Sequence, residues 1–274
     1  MIQLGTIAAI GFDDFRPAEW LSCYRELGCR VVQAYRNQAR QVSVADMRQA
    51  ISDGGMPCDS LHGVYGEQYD PSCPDEAART FAVQAFQREG EVCSALGGRV
   101  VVVHCATVRA TGVDEPERRA RINQLKKSIE ELGRIGADSG IHYAFENLPA
   151  YHAIGSSVSE LAGILRDVGA PNTGLCFDSG HAHMVGDAPC AVLQTQGQMI
   201  YAHISDNTGG VDGHEMITFG TIDADALARA FHRVGYSGTF MLEVFYSAAR
   251  LRELIAQGAA GRLARLMRIA NGQE

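Results

Sequence analysis

Nine side chains that bind metal ions or move protons are spaced along this chain in a regular way. His62, His104, Glu146, Asp178, His203 and Glu243 each close or nearly close a short apolar run: SLH, VVVVH, YAFE, LCFD, YAHIS and FMLEV. His181, Asp212 and His214 follow in the segments DSGH and DGH. A single strand-end histidine is more often a hydrogen-bonded core residue than a ligand, and a single carboxylate there most often caps the next helix. The set is different, because unpaired carboxylates brought into one buried pocket repel each other and lose hydration unless a cation sits among them. Glu146, Asp178, His203 and Glu243 come from four successive runs. They offer three oxygens and one nitrogen, a mixed set suited to Mn²⁺, Mg²⁺, Co²⁺ or Zn²⁺.

Such convergence requires a frame that ends all these runs on one side. Eight β-branched runs, at 2–10, 30–35, 57–64, 99–104, 141–146, 173–178, 199–205 and 239–245, alternate with amphipathic stretches at 17–27, 43–53, 75–96, 115–138, 157–168, 188–197, 223–234 and 247–270. Strands separated by helices run parallel. Eight β-α units in 274 residues predict a closed (β/α)8 TIM barrel of the α/β class, one domain over 1–274, with the polar run ends at its C-terminal face. An open doubly wound sheet would need a glycine-rich phosphate turn after the first strand, which GFDDF does not supply.

The balance of 24 basic against 32 acidic residues gives a formal charge of −8, the wrong sign for long contact with a phosphate backbone. The arginines and lysines at 118, 119, 121, 126 and 127, and the arginines at 250, 252, 262, 265 and 268, have acidic neighbours and are expected to form solvated faces. The opening MIQLGTIAAIGFDDF lacks a basic leader, and no run reaches the length of a membrane span. Eight scattered cysteines without a CxxC spacing are read as free thiols, and the expected location is the cytoplasm.

The segments LHG, VVVHCA, AFENLPA, CFDSGHAH, AHISDN, VDGH with FGTID, and FMLEVF, in that order, resemble the xylose isomerase-like TIM barrels. That superfamily holds sugar isomerases and epimerases together with the endonuclease IV type of abasic-site nuclease. In the sugar branch, the resemblance implies one divalent metal on Glu146, Asp178, His203 and Glu243 and a metal-stabilised enediolate, with Glu146 and Glu243 as the acid/base pair. His62, His104, His181 and His214 would then grip substrate hydroxyls. In the nuclease branch, the resemblance implies three zinc ions: His62, His104 and Glu146 on one, Glu146, Asp178, His203 and Glu243 on the next, and His181, Asp212 and His214 on the third. A barrel that binds a sugar without turning it over is a third reading.

The acidic balance favours a small carbohydrate, phosphorylated or not, over nucleic acid, and no membrane partner is expected. Barrels of this type commonly pair, so a homodimer is compatible with the resemblance. The match to the family's ketose 3-epimerases fails at Gly209 and His152, where those enzymes carry a substrate-binding arginine and a glutamate. Phe12, Tyr35, Tyr65 and Phe219 are expected near the mouth as a wall against water, Trp20 against the barrel, and His142, His183 and His232 as structural. Gly209 and Gly210 hint weakly at a phosphate loop.

Overall fold

The structure is a computed structural model describing residues 1–274. Its elements are β1 (Gln3–Ile10), α1 (Pro17–Glu26), β2 (Val31–Arg36), α2 (Val44–Gly54), β3 (Cys58–His62), α3 (Glu76–Ala95), β4 (Val100–His104), α4 (Glu115–Ser139), β5 (His142–Glu146), α5 (Val158–Val168), β6 (Thr173–Asp178), α6 (Ser179–Val185), α7 (Ala188–Leu193), β7 (Met199–Ile204), α8 (Ala224–Arg233), β8 (Thr239–Leu242), α9 (Ala248–Ala256) and α10 (Ala259–Ala270). The eight strands form a closed barrel in chain order, and β8 returns to pair in parallel with β1. The expected single-domain TIM barrel is what the chain forms.

Both faces of each strand are covered, so the strands read as nearly continuous apolar runs. Most of the apolar core lies between strands and helices, from Leu4 and Ile7 to Leu263 and Leu266. A separate, smaller layer of Val31, Val102, Ala144, Cys176, Tyr201 and Met241 fills the barrel interior. Side-chain caps start the helices beyond the strand ends: Ser43 with Asp46 for α2, Asp75 for α3, Asp114 for α4, Ser157 for α5 and Asp223 for α8. Each satisfies a helix N–H that would otherwise lack a partner. Gly136 lets α4 touch the sheet, since a Cβ there would lie 2.5 Å from the Ile141 carbonyl oxygen.

Two strands carry an extra residue. Val32 faces Cys58 and Gln33 faces Ser60, so Asp59 is bulged out of the β2–β3 register. Likewise Leu175 faces Met199 and Cys176 faces Tyr201, which leaves Ile200 extra in β7. Such bulges turn neighbouring side chains in new directions.

The expected helix at 188–197 is the shorter α7, which ends at Leu193, and an unexpected helix, α6, precedes it directly after Asp178. The expected last helix is also divided: Gly258, with φ +87°, breaks it between α9 and α10. No helix is long and apolar enough to cross a membrane.

Candidate metal centre

The barrel brings all nine predicted side chains to its C-terminal face. Parallel pairing sets His104 beside Glu146 and Asp178 beside His203, and Glu243 stands one residue past β8. Asn147 ties these ends together. Its side-chain nitrogen donates to the Asp178 carbonyl at 3.0 Å, and its oxygen accepts from the Asp178 N–H at 2.8 Å. Asp178 also caps α6, with Oδ1 accepting from the His181 N–H at 2.6 Å. The DSGH segment, expected as loop, is thus the first turn of a helix, and this turn carries the His181 ring over the strand-six carboxylate.

At the centre, His203 Nδ1 lies 2.7 Å from Glu146 Oε1, 3.1 Å from Glu243 Oε2 and 3.9 Å from Asp178 Oδ2. One ligand atom from each of these four residues falls within 4.8 Å of the other three. All four residues are buried, and Glu146 Oε2, Asp178 Oδ2 and Glu243 Oε2 have no hydrogen-bond donor. Donorless carboxylate oxygens in a closed pocket fit a cation. With three oxygens and an imidazole nitrogen, the donor set suits a borderline or hard divalent ion.

The neighbouring charges are arranged accordingly. Burial raises the Asp178 carboxyl to about 7 against the pull of His181, helped by Glu243 and Glu146. Burial would also raise Glu146 and Glu243, but His203 overrides it, holding Glu146 well below the carboxylate range and Glu243 at about 2. His203 is itself desolvated, yet Cys176, Glu243 and Glu146 hold it protonated well above its ordinary range. In the metal-free protein the imidazolium thus stands where a cation would, and that proton must leave before Nδ1 can bind one.

Two further groups flank the centre. His104 Nε2 approaches Glu146 Oε2 at 3.2 Å and His62 Nε2 approaches it at 4.0 Å, so these three also offer a cluster of ligand atoms. Burial brings His62 down to about 4, so its ring is neutral. On the other side, Asp212 Oδ2 lies 3.2 Å from His181 Nε2 and 3.5 Å from His214 Nε2. Despite desolvation, Asp212 and Glu243 push His214 up to about 9. This second group already balances much of its own charge.

The long segment after β7 is pinned by Asp206, which accepts from the N–H groups of Asn207 at 2.9 Å, Gly220 at 3.0 Å and Ile222 at 3.0 Å. That is the physical use of the Gly-Thr-Ile-Asp segment. The weak phosphate hint fares worse, because the Gly209 N–H is already donated to Asn207 Oδ1 at 2.7 Å.

The aromatic wall is partly as expected. Tyr35 packs against His62, Tyr65 and Phe12, with ring centroids 4.9, 6.1 and 6.0 Å away. Phe219 instead lies under Arg262, and its place is taken by Phe245, 5.4 Å from Tyr35 and 5.2 Å from His214. Trp20 is buried and donates to the Tyr246 carbonyl at 2.6 Å. Sequence reasoning missed Gln33, whose Oε1 sits 3.0 Å from His203 Nε2, and Cys176, which groups with Glu146 and His203. The available signal was a lone glutamine inside the apolar run VVQAY.

The family model described as "Xylose isomerase-like TIM barrel" matches residues 21–266. Inosose isomerase of Bacillus velezensis is 27% identical over 182 residues, 62% of this chain and 62% of the relative, so the chain spans about three fifths of that protein. Ketose 3-epimerase of Arthrobacter globiformis is 23% identical over 81% of this chain and 75% of its own. A protein named "Probable endonuclease 4" from Methanoculleus marisnigri is 25% identical over 73% and 78%. Among solved structures, a D-tagatose 3-epimerase-like protein superimposes with a TM-score of 0.75 at 20% identity, covering 99% of both chains.

Proposed function

The chain belongs to the xylose isomerase-like TIM barrels, and from that membership we propose that it is a divalent-metal-dependent sugar isomerase or epimerase. The observation that carries the reading is the set of three buried carboxylate oxygens with no hydrogen-bond partner, Glu146 Oε2, Asp178 Oδ2 and Glu243 Oε2, the last two 3.9 and 3.1 Å from His203 Nδ1. Glu146, Asp178, His203 and Glu243 would hold the ion. When bound, the ion would polarise a substrate carbonyl and its neighbouring hydroxyl and acidify the C–H between them.

The protein's own groups would do the proton work. Glu146 and Glu243 are held ionised at neutral pH, and they stand on β5 and just past β8 with β6 and β7 between them. Each could take a proton from one side of the substrate and return it. His181 and His214, held as cations beside Asp212, and the neutral His62 suit contacts to hydroxyls. Phe12, Tyr35, Tyr65 and Phe245 would keep water from the reacting carbons. The relatives named inosose isomerase and ketose 3-epimerase support this chemistry and leave the sugar open. Incubation of candidate ketoses and aldoses in D₂O tests it. Deuterium should enter at the carbon next to the carbonyl with the wild type, and its absence from every sugar converted would count against a proton-transfer mechanism.

A second reading, a multinuclear zinc phosphodiesterase acting on abasic DNA, is favoured by the His62, His104 and Glu146 cluster beside the main site. Against it, the basic outer faces are largely spent on ion pairs: Arg118 with Glu160 at 2.6 Å, Arg121 with Asp70 at 3.1 Å, Lys127 with Glu76 at 3.2 Å and Arg252 with Glu19 at 2.6 Å. Phosphate contacts need free cations. Cleavage of an abasic duplex that falls steeply with salt would favour this reading.

A further inference from the structure

We propose that Gln33 and Asp59 are positioning residues that act from inside the barrel to fix which nitrogen of His203 faces the metal centre. The proposal rests on the metal-binding reading above and names residues that reading does not use.

A polar chain runs down the barrel interior from His203. His203 Nε2 meets Gln33 Oε1 at 3.0 Å, and Gln33 Nε2 donates to Ser60 Oγ at 3.3 Å. Ser60 Oγ donates to Asp59 Oδ1 at 2.8 Å and touches the Tyr201 hydroxyl, which also reaches Asp59 Oδ1 at 3.0 Å. Thr239 Oγ1 completes the end of the chain, donating to Asp59 Oδ2 at 2.6 Å. Both bulges serve this chain: one frees Asp59 to turn inward beside Ser60, and the other adjoins Tyr201, on the far side of the barrel from β3.

The direction of the hydrogen bonds follows from the carboxylate. Asp59 can only accept, so Thr239 donates to it and the protons of Ser60 and Tyr201 run toward it, directly or one through the other. Ser60 then has lone pairs left for Gln33 and must accept from the amide nitrogen. The amide oxygen is therefore the group turned to His203, and Nε2 must carry hydrogen. That leaves Nδ1, 2.7 Å from Glu146 and 3.1 Å from Glu243, as the only ring nitrogen that can bind an ion. A flipped Gln33 amide would place its N–H against Nε2 and force the proton onto Nδ1, blocking the site. Gln33, Ser60, Tyr201 and Thr239 are buried, where apolar side chains would pack at lower desolvation cost. A role for the chain in orienting His203 explains why polar groups stand there.

Calorimetric titration of Mn²⁺ into the wild type, Gln33→Met, Gln33→Glu and Asp59→Asn, alongside melting of each metal-free protein, is the test. Met removes the acceptor, Glu keeps one, and Asn at 59 removes the group that sets the direction while Gln33 stays in place. Gln33→Met and Asp59→Asn should bind Mn²⁺ about 10- to 100-fold more weakly, and Gln33→Glu should stay within a few-fold of wild type. Wild-type affinity in Gln33→Met would overturn the proposal, as would losses in all three variants that merely track a fall in metal-free melting temperature. If Gln33→Met does not fold, Ser60→Ala frees the amide with Gln33 retained and is held to the same loss. Failure of the wild type to bind Mn²⁺, Co²⁺ or Zn²⁺ would instead refute the metal-binding reading itself.

Discussion

The carboxylates at the two ends of this barrel are wired in opposite ways. Toward the N-terminal ends of the strands, half-buried Asp59 receives hydroxyls from Ser60, Tyr201 and Thr239, so both of its oxygens are satisfied by the protein. At the mouth, Glu146, Asp178 and Glu243 each keep a buried oxygen with no donor. The first arrangement is complete as it stands. The second is a site whose charge balance is finished only by something from outside, and in the metal-free protein the protonated His203 substitutes for it. Burial alone does not separate structural from functional carboxylates; the presence or absence of donors does.

The largest effect should come from the mouth. Glu146→Gln and Glu243→Gln, which keep shape and remove the base, should each lower sugar turnover roughly 10²- to 10⁴-fold, measured as conversion and as deuterium uptake. Undiminished turnover in either would remove that glutamate from the acid/base pair.

Neutralising one carboxylate in each group separates the two directly. At pH 8 without metal, Asp178→Asn should raise the melting temperature, because a carboxyl that burial holds at about 7 is costly to ionise. The gain is on the order of 1–4 kcal/mol, and the α6 cap survives in Asn. Asp59→Asn should lower it by about 1–3 kcal/mol: burial raises this carboxyl too, but turning one oxygen into an NH2 sets a donor against hydroxyls that now donate to it, and that loss outweighs the relief. Equal signs for the two variants would erase the distinction between the groups.

A smaller effect follows from pH. His214 titrates at about 9, and His203 and His181 are also raised. A histidine whose folded pKa is raised stabilises fully below its unfolded value of about 6.5, and that stability is lost as pH climbs through the folded value. Melting of the metal-free protein should therefore fall between pH 6.5 and about 9. With saturating Mn²⁺ the fall should flatten or reverse, because deprotonation favours ligation. Least of all, Arg118→Ala should cost under about 1 kcal/mol, since the Arg118 to Glu160 pair is partly exposed.

The mouth was legible in the sequence because its residues close apolar runs, and strand ends in a parallel barrel share one face. Asp59 was not. Simple alternation from His62 along CDSLH turns Asp59 outward with Leu61, and only the bulge, a product of pairing with β2, brings it inside. The α6 turn was hidden by Gly180 and two histidines of low helix propensity, overridden by the Asp178 cap and by packing. Gly258 was visible, but a glycine within a helical pattern does not by itself announce a break. Phe245 stands where Phe219 was expected, and Phe219 lies in the segment after β7 that Asp206 ties back through the N–H groups of Gly220 and Ile222, contacts between residues far apart in the chain.

The most direct measurement is the number and location of divalent ions, by native mass spectrometry and calorimetry on the wild type, Asp178→Asn and Asp59→Asn. The prediction is about one tightly held Mn²⁺, Mg²⁺ or Co²⁺ per chain, abolished or severely weakened by Asp178→Asn and weakened but still present in Asp59→Asn. Two or three Zn²⁺ per chain with cleavage of abasic DNA, or no ion at all, would contradict it.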